Sequence, residues 1–354
     1  MERNYHIFGV ICEYNPFHNG HAYHLTQMRT QGATHIVAVM SGNFVQRGEP
    51  ALVSKRLRTL WALQNGADLV LELPLPWAMS GAETFARGGV GLLHSLGCVE
   101  AISFGSEHAD ASLFSHTAAQ LLSTDFSAAL TTPLASGMSF AQARETALNQ
   151  TAGEECATLL RTPNDILGVE YAKAALQMNS SLRLCPILRS GANHHDSLPE
   201  TGAIASASSV RAALRERGTA ESVSPFLPKS VSDGLNSALR TGEAPSSLQH
   251  LERAILACWR TLSPEAAAQL PDVSEGIENR ILTCARTATS LDDLFAQVKS
   301  KRYSHARIRR IVLSAFLGLT AADSAGIPPY LRILGLNGAL RKRSIIIKFC
   351  SSCI

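Results

Sequence analysis

Short apolar runs alternate with segments of helical spacing through the first two-thirds of the chain. Period and length distinguish the two, because buried strands are short and apolar, whereas helices repeat apolar side chains every three or four residues. The predicted strands are Ile7–Cys12, His35–Met40, Leu69–Leu73, Ala101–Phe104 and Leu182–Leu188, and the predicted helices cover 22–30, 56–65, 82–96, 113–123, 140–149 and 166–178. This alternation predicts an α/β fold with a mostly parallel sheet and helices on both faces.

The pattern changes after residue 216. Prolines and serines interrupt the periodicity up to residue 247, which predicts a linker or an irregular crossover. Beyond it no strand is predicted, and helices are expected over 248–261, 275–287, 291–298 and 307–319. The predicted organisation is a sheet domain over 1–217, a linker over 218–247, an all-helical C-terminal region over 248–335 and a tail over 336–354.

Composition narrows the class of protein. The chain has 354 residues, 45% hydrophobic and 17% charged, which suits a globular protein of two domains. The N-terminus has no signal-like apolar stretch, and no apolar window is long enough to span a bilayer. A soluble, cytoplasmic protein without a membrane partner is therefore expected. Eight scattered cysteines predict reduced thiols, and the single C-x-x-C at Cys350 and Cys353 lacks the second ligand pair of a zinc site.

Charge is concentrated at one end. The net charge is +3, yet residues 299–354 hold eleven Lys or Arg and one acid, Asp323, so this end carries +10 and the remainder −7. Such asymmetry favours a polyanionic partner. Basic residues interleaved with Tyr303 and His305 suit RNA phosphates and bases, although a charge run is commonly just a solvated face. The predicted RNA-binding residues are Lys299, Lys301, Arg302, Arg307, Arg309 and Arg310.

The loop after the first predicted strand contains His18-Asn19-Gly20-His21 and leads into a helix. A strand, turn and helix in this order present a helix N-terminus to a phosphate. Gly20 permits close approach of the backbone to a ligand, here the adenine or ribose. Imidazoles donate hydrogen bonds to phosphate oxygens as their charge changes. His18 and His21 are therefore the candidate catalytic residues, and the alternative is a loop with incidental histidines.

Other polar residues follow predicted strands or begin helices, where ligands bind in parallel sheets. Ser208 and Ser209 offer hydroxyl and backbone donors for outer phosphates, or form a plain helix cap. Arg189 follows a strand, and its planar guanidinium suits phosphate or ribose oxygens. Gln46, Arg47 and Glu49 lie in a polar loop that is either a cover over a bound substrate or an ordinary surface loop. His24 extends the spacing to H-x-x-H-x-x-H, but such steps drift around a helix, so a structural or pocket-lining role is expected.

Seven segments of the chain are informative as a set. They run from Cys12 to His24, Met40 to Ala51, Ala67 to Pro74, Phe104 to Glu107, Pro163 to Tyr171, Ile204 to Arg211 and Lys301 to Arg310. Together they resemble the bacterial tRNA(Met) cytidine acetate ligases. The first two segments, in combination, are highly specific, whereas H-x-G-H alone marks only the wider nucleotidyltransferase superfamily. The likeness spans residues 6–335, and a truncated terminus would explain the unmatched tail, 336–354.

The resemblance implies a Rossmann-like fold with ATP and acetate as substrates. It implies that acetate is activated to acetyl-adenylate with release of pyrophosphate. The acetyl group then passes to N4 of the wobble cytidine of elongator tRNA(Met). Mg²⁺ is expected to accompany ATP through phosphate oxygens, without a protein ligand that the sequence identifies. The implied ATP-binding residues are Ile11, Cys12, Glu13, Tyr14, Asn15, Pro16, Phe17, His18, Asn19, Gly20, His21, Ala22, Tyr23, His24, Gly105, Asn164 and Arg189.

Two other functions stay open at the level of sequence. An adenylyltransferase acting on a small phosphorylated metabolite would share the H-x-G-H chemistry, but it gives no reason for the basic end. A non-catalytic, nucleotide-dependent RNA-binding protein would use the same surfaces without turnover. The sequence leaves the oligomeric state undetermined.

Overall fold

The computed structural model describes residues 5–189, 204–300 and 303–338. Among these residues six strands form the main sheet, in the order β7-β6-β1-β2-β5-β8, and two short strands form a hairpin. All pairings in the main sheet are parallel except that of β8 with β5. The strands are β1 (Ile7–Cys12), β2 (His35–Ser41), β3 (Phe44–Val45), β4 (Glu49–Pro50), β5 (Leu69–Leu73), β6 (Ala101–Ser106), β7 (Arg183–Leu188) and β8 (Ile333–Leu336).

Helices occupy most connections of the sheet and most of the chain beyond residue 206. They are α1 (Asn19–Thr30), α2 (Lys55–Gln64), α3 (Leu75–Ala78), α4 (Ala82–Ser95), α5 (Ala111–Leu121), α6 (Thr124–Ala135), α7 (Phe140–Ala152), α8 (Glu154–Thr158), α9 (Pro163–Gln177), α10 (Ala207–Arg217), α11 (Lys229–Thr241), α12 (Glu252–Thr261), α13 (Pro264–Ala268), α14 (Ile277–Ala285), α15 (Leu291–Val298) and α16 (His305–Leu317). No helix in these described ranges combines the length and the apolar character needed to cross a membrane.

Side chains of β1 alternate between two cores. Ile7 and Ile11 pack with residues of α4 and α9 on one face, and Phe8 and Val10 pack with α1, α2 and α11 on the other. Successive side chains of a strand point to opposite faces of the sheet, and helices cover both faces here, so the alternation follows. The predicted α/β fold with helices on both faces is confirmed. Because strand order reverses at β1, the crevice between the carboxyl ends of β1 and β6 is the expected ligand site.

A third core lies in the helical region. It is built around Trp259, which is fully buried and donates its indole N–H to the carbonyl of Val312 at 3.0 Å. Met79, which follows α3, also belongs to this core. The helical region therefore packs directly against the part of the chain that carries the sheet.

The predicted linker is wrong in one respect, because it contains the 13-residue helix α11. Val231, Leu235 and Ala238 are its buried face, at the spacing of an amphipathic helix. Gly234 lies against the indole of Trp61 on α2, where a Cβ atom would come within 2.7 Å of Nε1. The segment therefore contributes to the core on one face of the sheet.

The prediction of no strand beyond residue 248 is also wrong. β8 pairs antiparallel with the edge of β5, and Leu336 lies opposite Leu69. The strand is only four residues long and its first residue, Ile333, is exposed, so it lacks the buried alternation by which the other strands were found. The helical region thus ends by returning to the sheet.

Candidate active site

The loop from β1 to α1 is fixed from two sides. Asn15 Oδ1 accepts a hydrogen bond from the Leu52 amide at 2.7 Å, and the Asn15 carbonyl accepts one from Arg211 Nη1, also at 2.7 Å. Tyr14 and Phe17 are buried and pack edge-on at 4.7 Å between ring centroids. The loop therefore has a defined conformation before any ligand arrives.

Arg58 of α2 is fully buried beneath this loop. Its guanidinium donates to the carbonyls of Glu13 at 2.6 Å, Ser41 at 3.1 Å and Val53 at 3.3 Å, and also to that of Gly42. Burial lowers the pKa of Arg58 to about 10, so it stays charged at neutral pH. One side chain thus joins the loops that follow β1 and β2.

His18 and His21 form a stacked pair at the start of α1. The ring centroids lie 3.7 Å apart, with 29° between the planes. His18 Nδ1 accepts from the amide of Gly20 at 3.0 Å, and His21 Nδ1 accepts from the amide of His18 at 3.2 Å. Since each Nδ1 accepts, each ring is neutral with its proton on Nε2.

Burial and neighbouring groups favour the neutral form of His21. Burial is the largest cause that lowers the pKa of His21 well below its usual value, and the repulsion that a protonated His21 would meet from His18, His24 and Arg189 acts in the same direction. Two uncharged Nε2–H donors at the positive end of a helix dipole suit the stabilisation of developing phosphate charge. The geometry is consistent with the chemistry predicted for His18 and His21.

Gly20 is required by the protein itself. A Cβ atom at this position would lie 2.8 Å from Cγ2 of Ile204 and 2.9 Å from Cε1 of His18. The side chains of Ile204 and His18 are therefore the groups that pack closely against Gly20. Contact of adenine or ribose with Gly20 stays a prediction.

A second group of predicted residues meets around Glu107, just beyond β6. Glu107 Oε1 accepts from Asn164 Nδ2 at 2.8 Å and lies 3.5 Å from Arg189 Nε. Gly105 lies beside the same arginine, because a Cβ atom at this position would be 3.3 Å from Arg189 Cγ. Asn164, Arg189 and Gly105 are thus together although they are distant in sequence, as expected for residues at one sheet edge.

Asp165 holds the backbone of Glu107 in place. The sequence pattern did not identify it as a site residue. It is fully buried, and its carboxylate accepts from Ser106 Oγ at 2.6 Å and Thr162 Oγ1 at 2.8 Å. It also accepts from the Glu107 amide at 3.1 Å and contacts His108 Nδ1 at 2.8 Å. Glu107 and Asp165 both lie within matched motifs, so motif membership was the available signal.

Ser208 and Ser209 begin α10, but the capping residue is Ser206. Its Oγ accepts from the Ser209 amide at 3.1 Å and lies 3.0 Å from the hydroxyl oxygens of both Ser208 and Ser209. The contact of Ile204 with Gly20 brings this helix start close to that of α1. Binding of outer phosphates by Ser208 and Ser209 stays a prediction.

His24 links α1 to β6. Its Nε2 lies 2.8 Å from Ser103 Oγ on β6, and burial lowers its pKa to about 4. No group of three or more potential metal ligands occurs within residues 5–189, 204–300 and 303–338. The six cysteines in those ranges are free thiols, and Cys350 and Cys353 lie outside them.

Stability is expected to fall as the pH is lowered from about 6.5 to about 4. In this window the unfolded chain protonates His24 and the folded chain does not, so the free energy of unfolding falls as the pH falls. His24→Gln retains a partner for Ser103 but does not titrate, so its melting temperature should decline less over this range. Thermal melts at several pH values test this, and equal slopes for both proteins would contradict it.

The basic end has acidic partners that the linear sequence hides. Arg309 pairs with Glu49, and Arg310 Nε lies 2.5 Å from Asp272 Oδ2. Arg307 donates to the carbonyl of Asp272 at 3.0 Å. Arg309 and Arg310 therefore anchor α16 through acids that lie outside the basic run.

Three predicted RNA-binding residues remain, and the structure describes only one of them, Lys299. Lys299 Nζ donates to the carbonyl of Tyr303 at 2.9 Å, so it closes the chain segment that precedes α16. Lys301 and Arg302 lie outside the described residues. RNA binding by this end stays a prediction.

The fold and the site define the class of protein. A family model described as HIGH Nucleotidyl Transferase matches residues 5–348. The tRNA(Met) cytidine acetate ligase of Caldanaerobacter subterraneus subsp. tengcongensis is 42% identical over 335 residues, which cover 93% of this chain and 82% of the relative. That of Acetivibrio thermocellus is 38% identical and covers 94% and 83%, respectively. The chain belongs to the tRNA(Met) cytidine acetate ligase family.

Solved structures agree with this assignment. The apo crystal structure of Thermotoga maritima TmcAL superposes with a TM-score of 0.91 at 34% identity, covering 98% of this chain and 84% of that one. The structure of the same protein bound with alpha-thio ATP gives 0.87 at 33% identity, covering 98% and 83%.

Proposed function

We propose that this protein is an ATP-dependent ligase that acetylates the wobble cytidine of elongator tRNA(Met). A carboxylate oxygen of acetate attacks the α-phosphorus of ATP, and pyrophosphate leaves. The cytidine N4 then attacks the acetyl carbonyl, AMP leaves, and N4 loses a proton. The observation that carries this proposal is the neutral His18–His21 pair at the start of α1, in a chain of this family.

The residues divide the first step between binding and charge stabilisation. The Nε2–H groups of His18 and His21 donate to phosphate oxygens as charge develops there. Arg189 and Asn164 hold the nucleotide, and Glu107 orients both before it binds. Positioning and charge stabilisation are the main needs of transfer at phosphorus. Mg²⁺ accompanies ATP through phosphate oxygens.

Two relationships support the substrates. The Thermotoga protein was crystallised with alpha-thio ATP, which supports a nucleotide site in this fold. The relatives are named for tRNA(Met), which supports elongator tRNA(Met) as the acceptor and the cytoplasm as the place of action. Acetate as the acyl donor rests on the same names.

The two half-reactions can be tested separately. Exchange of labelled pyrophosphate into ATP should depend on acetate and proceed without RNA. Mass spectrometry of tRNA nucleosides, after incubation with ATP and labelled acetate, should then detect labelled N4-acetylcytidine. Exchange that ignores acetate, or RNA that stays unlabelled, would contradict the proposal.

Nucleotide affinity should depend on the residues gathered at Glu107. Arg189→Ala and Asn164→Ala are each expected to weaken binding of a non-hydrolysable ATP analogue, by about tenfold for Arg189, because a hydrogen bond to a charged group contributes about 1.5–3 kcal/mol. Isothermal titration measures this. Arg183→Ala is the matched control, since Arg183 begins the same strand, β7, at its opposite end. Unchanged dissociation constants in both variants would exclude these residues from the site.

A further inference from the structure

Glu49 joins two arginines from separate parts of the chain. Its Oε2 lies 3.3 Å from Arg215 Nη2 on α10, and its Oε1 pairs with Arg309 on α16. The Glu49 side chain is 15% exposed, whereas that of Arg215 is 61% exposed. The largely buried carboxylate of Glu49 thus pairs with two more exposed cations, Arg215 in the sheet domain and Arg309 in the helical region.

Two further arginines belong to the same place. Arg211, one helical turn before Arg215, donates to the Asn15 carbonyl in the loop after β1. Burial is the largest cause that lowers the pKa of Arg211; the negative charges of Glu13 and Glu49 oppose it, and the positive charges of Arg47 and Arg215 lower the pKa further. Arg47 is exposed, and within the described part of the chain no hydrogen bond or ion pair engages it. Four guanidinium groups therefore share this neighbourhood with two carboxylates, those of Glu49 and Glu13.

The segment that carries Arg47 and Glu49 is held at both ends. The Gln46 amide donates to Glu13 Oε1 at 2.9 Å, which ties it to the loop after β1. Gly48 has a φ of +70°, and a Cβ atom there would lie 2.6 Å from the amide nitrogen of Arg310. The backbone of α16 rests against this glycine. The arginines consequently have a fixed place between the nucleotide loop and the basic end.

We propose that Arg47, Arg211, Arg215 and Arg309, here called the Glu49 arginine surface, bind phosphates of the tRNA backbone beside the site of acetyl transfer. The proposal rests on the proposed function, because it names where its RNA substrate lies. Four cations against two acids, Glu49 and Glu13, leave an excess positive charge on a face that links the basic end to the loop after β1. A polyanion longer than ATP can follow this surface, since the exposed guanidinium groups of Arg47 and Arg215 can donate hydrogen bonds to successive phosphates.

The double variant Arg47→Gln, Arg215→Gln tests the surface without touching Arg211, which holds Asn15. The matched control is Lys229→Gln, Arg240→Gln, which removes the same charge from exposed positions of α11. Filter binding of tRNA(Met) across a salt series reports phosphate contacts, and acetate-dependent pyrophosphate exchange reports the ATP site. Loss of two contacts should reduce the slope of log affinity against log salt by about 1.4–1.8.

The expected result is a reduced slope and weaker acetyl transfer in the double variant, with exchange within about twofold of the unmodified protein and an unaffected control. An unchanged slope, an equal loss in the control, or a tenfold loss of exchange would each overturn the assignment. Failure of the proposed function would look different, because the unmodified protein would then show no acetate-dependent exchange and form no acetylcytidine.

Discussion

His21→Asn is expected to lower acetate-dependent pyrophosphate exchange by about 100- to 1000-fold, the usual effect of losing one donor to a transition-state oxyanion. Asparagine places its Oδ1 where His21 has Nδ1, so the amide of His18 keeps its acceptor. What asparagine lacks is the Nε2–H group. The substitution therefore separates chemistry from helix capping.

Two measurements, melting temperature and tRNA affinity, accompany the exchange assay. The melting temperature and tRNA affinity of His21→Asn should match those of the unmodified protein, whereas His21→Ala should also lower the melting temperature because it removes the acceptor. His116→Asn, at an exposed position of α5, is the control. Exchange by His21→Asn within a few-fold of the unmodified protein would remove His21 from the mechanism.

Arg58→Met is expected to lower the free energy of unfolding by about 3 kcal/mol or more and to abolish most exchange activity. It would leave four carbonyl groups without their donor, and each buried acceptor without a partner costs about 1–3 kcal/mol before relaxation. Because those carbonyls belong to the loops after β1 and β2, the geometry of the site should fail together with stability.

Urea denaturation and pyrophosphate exchange check this expectation. Arg58→Lys should rescue little, since an ammonium group cannot reach the same set of carbonyls. Arg56→Met, two residues earlier and exposed, should leave both measurements unchanged. A loss of stability below about 1 kcal/mol in Arg58→Met would show that the loops do not depend on it.

Periodicity predicted the elements whose burial follows a simple rule. β1 and β5 have the predicted bounds, because uninterrupted apolar runs correspond to strands covered on both faces. α1 begins three residues earlier than predicted, at Asn19, because His18 acts as its cap. Histidine is not among the residues that usually mark a helix start, so local propensity gave no signal.

The site was only partly predictable for a related reason. His18 and His21 are neighbours in sequence, and their pattern indicates their chemistry directly. Glu107 acquires its role through Asn164, 57 residues away, and such a contact leaves no local pattern. The acid that meets Arg309 lies 260 residues before it, so counting charges along the chain could not reveal that pair.

β8 has a consequence for any attempt to dissect the protein. A fragment that stopped at residue 247 would contain the nucleotide loops but would leave the backbone of β5 unpaired where Ile333, Gly335 and Leu336 now face it. An open, apolar sheet edge recruits other strands, including those of identical fragments. During synthesis the same edge stays open until the whole helical region has been made. Separate expression of the nucleotide-binding half would therefore report on self-association as much as on catalysis.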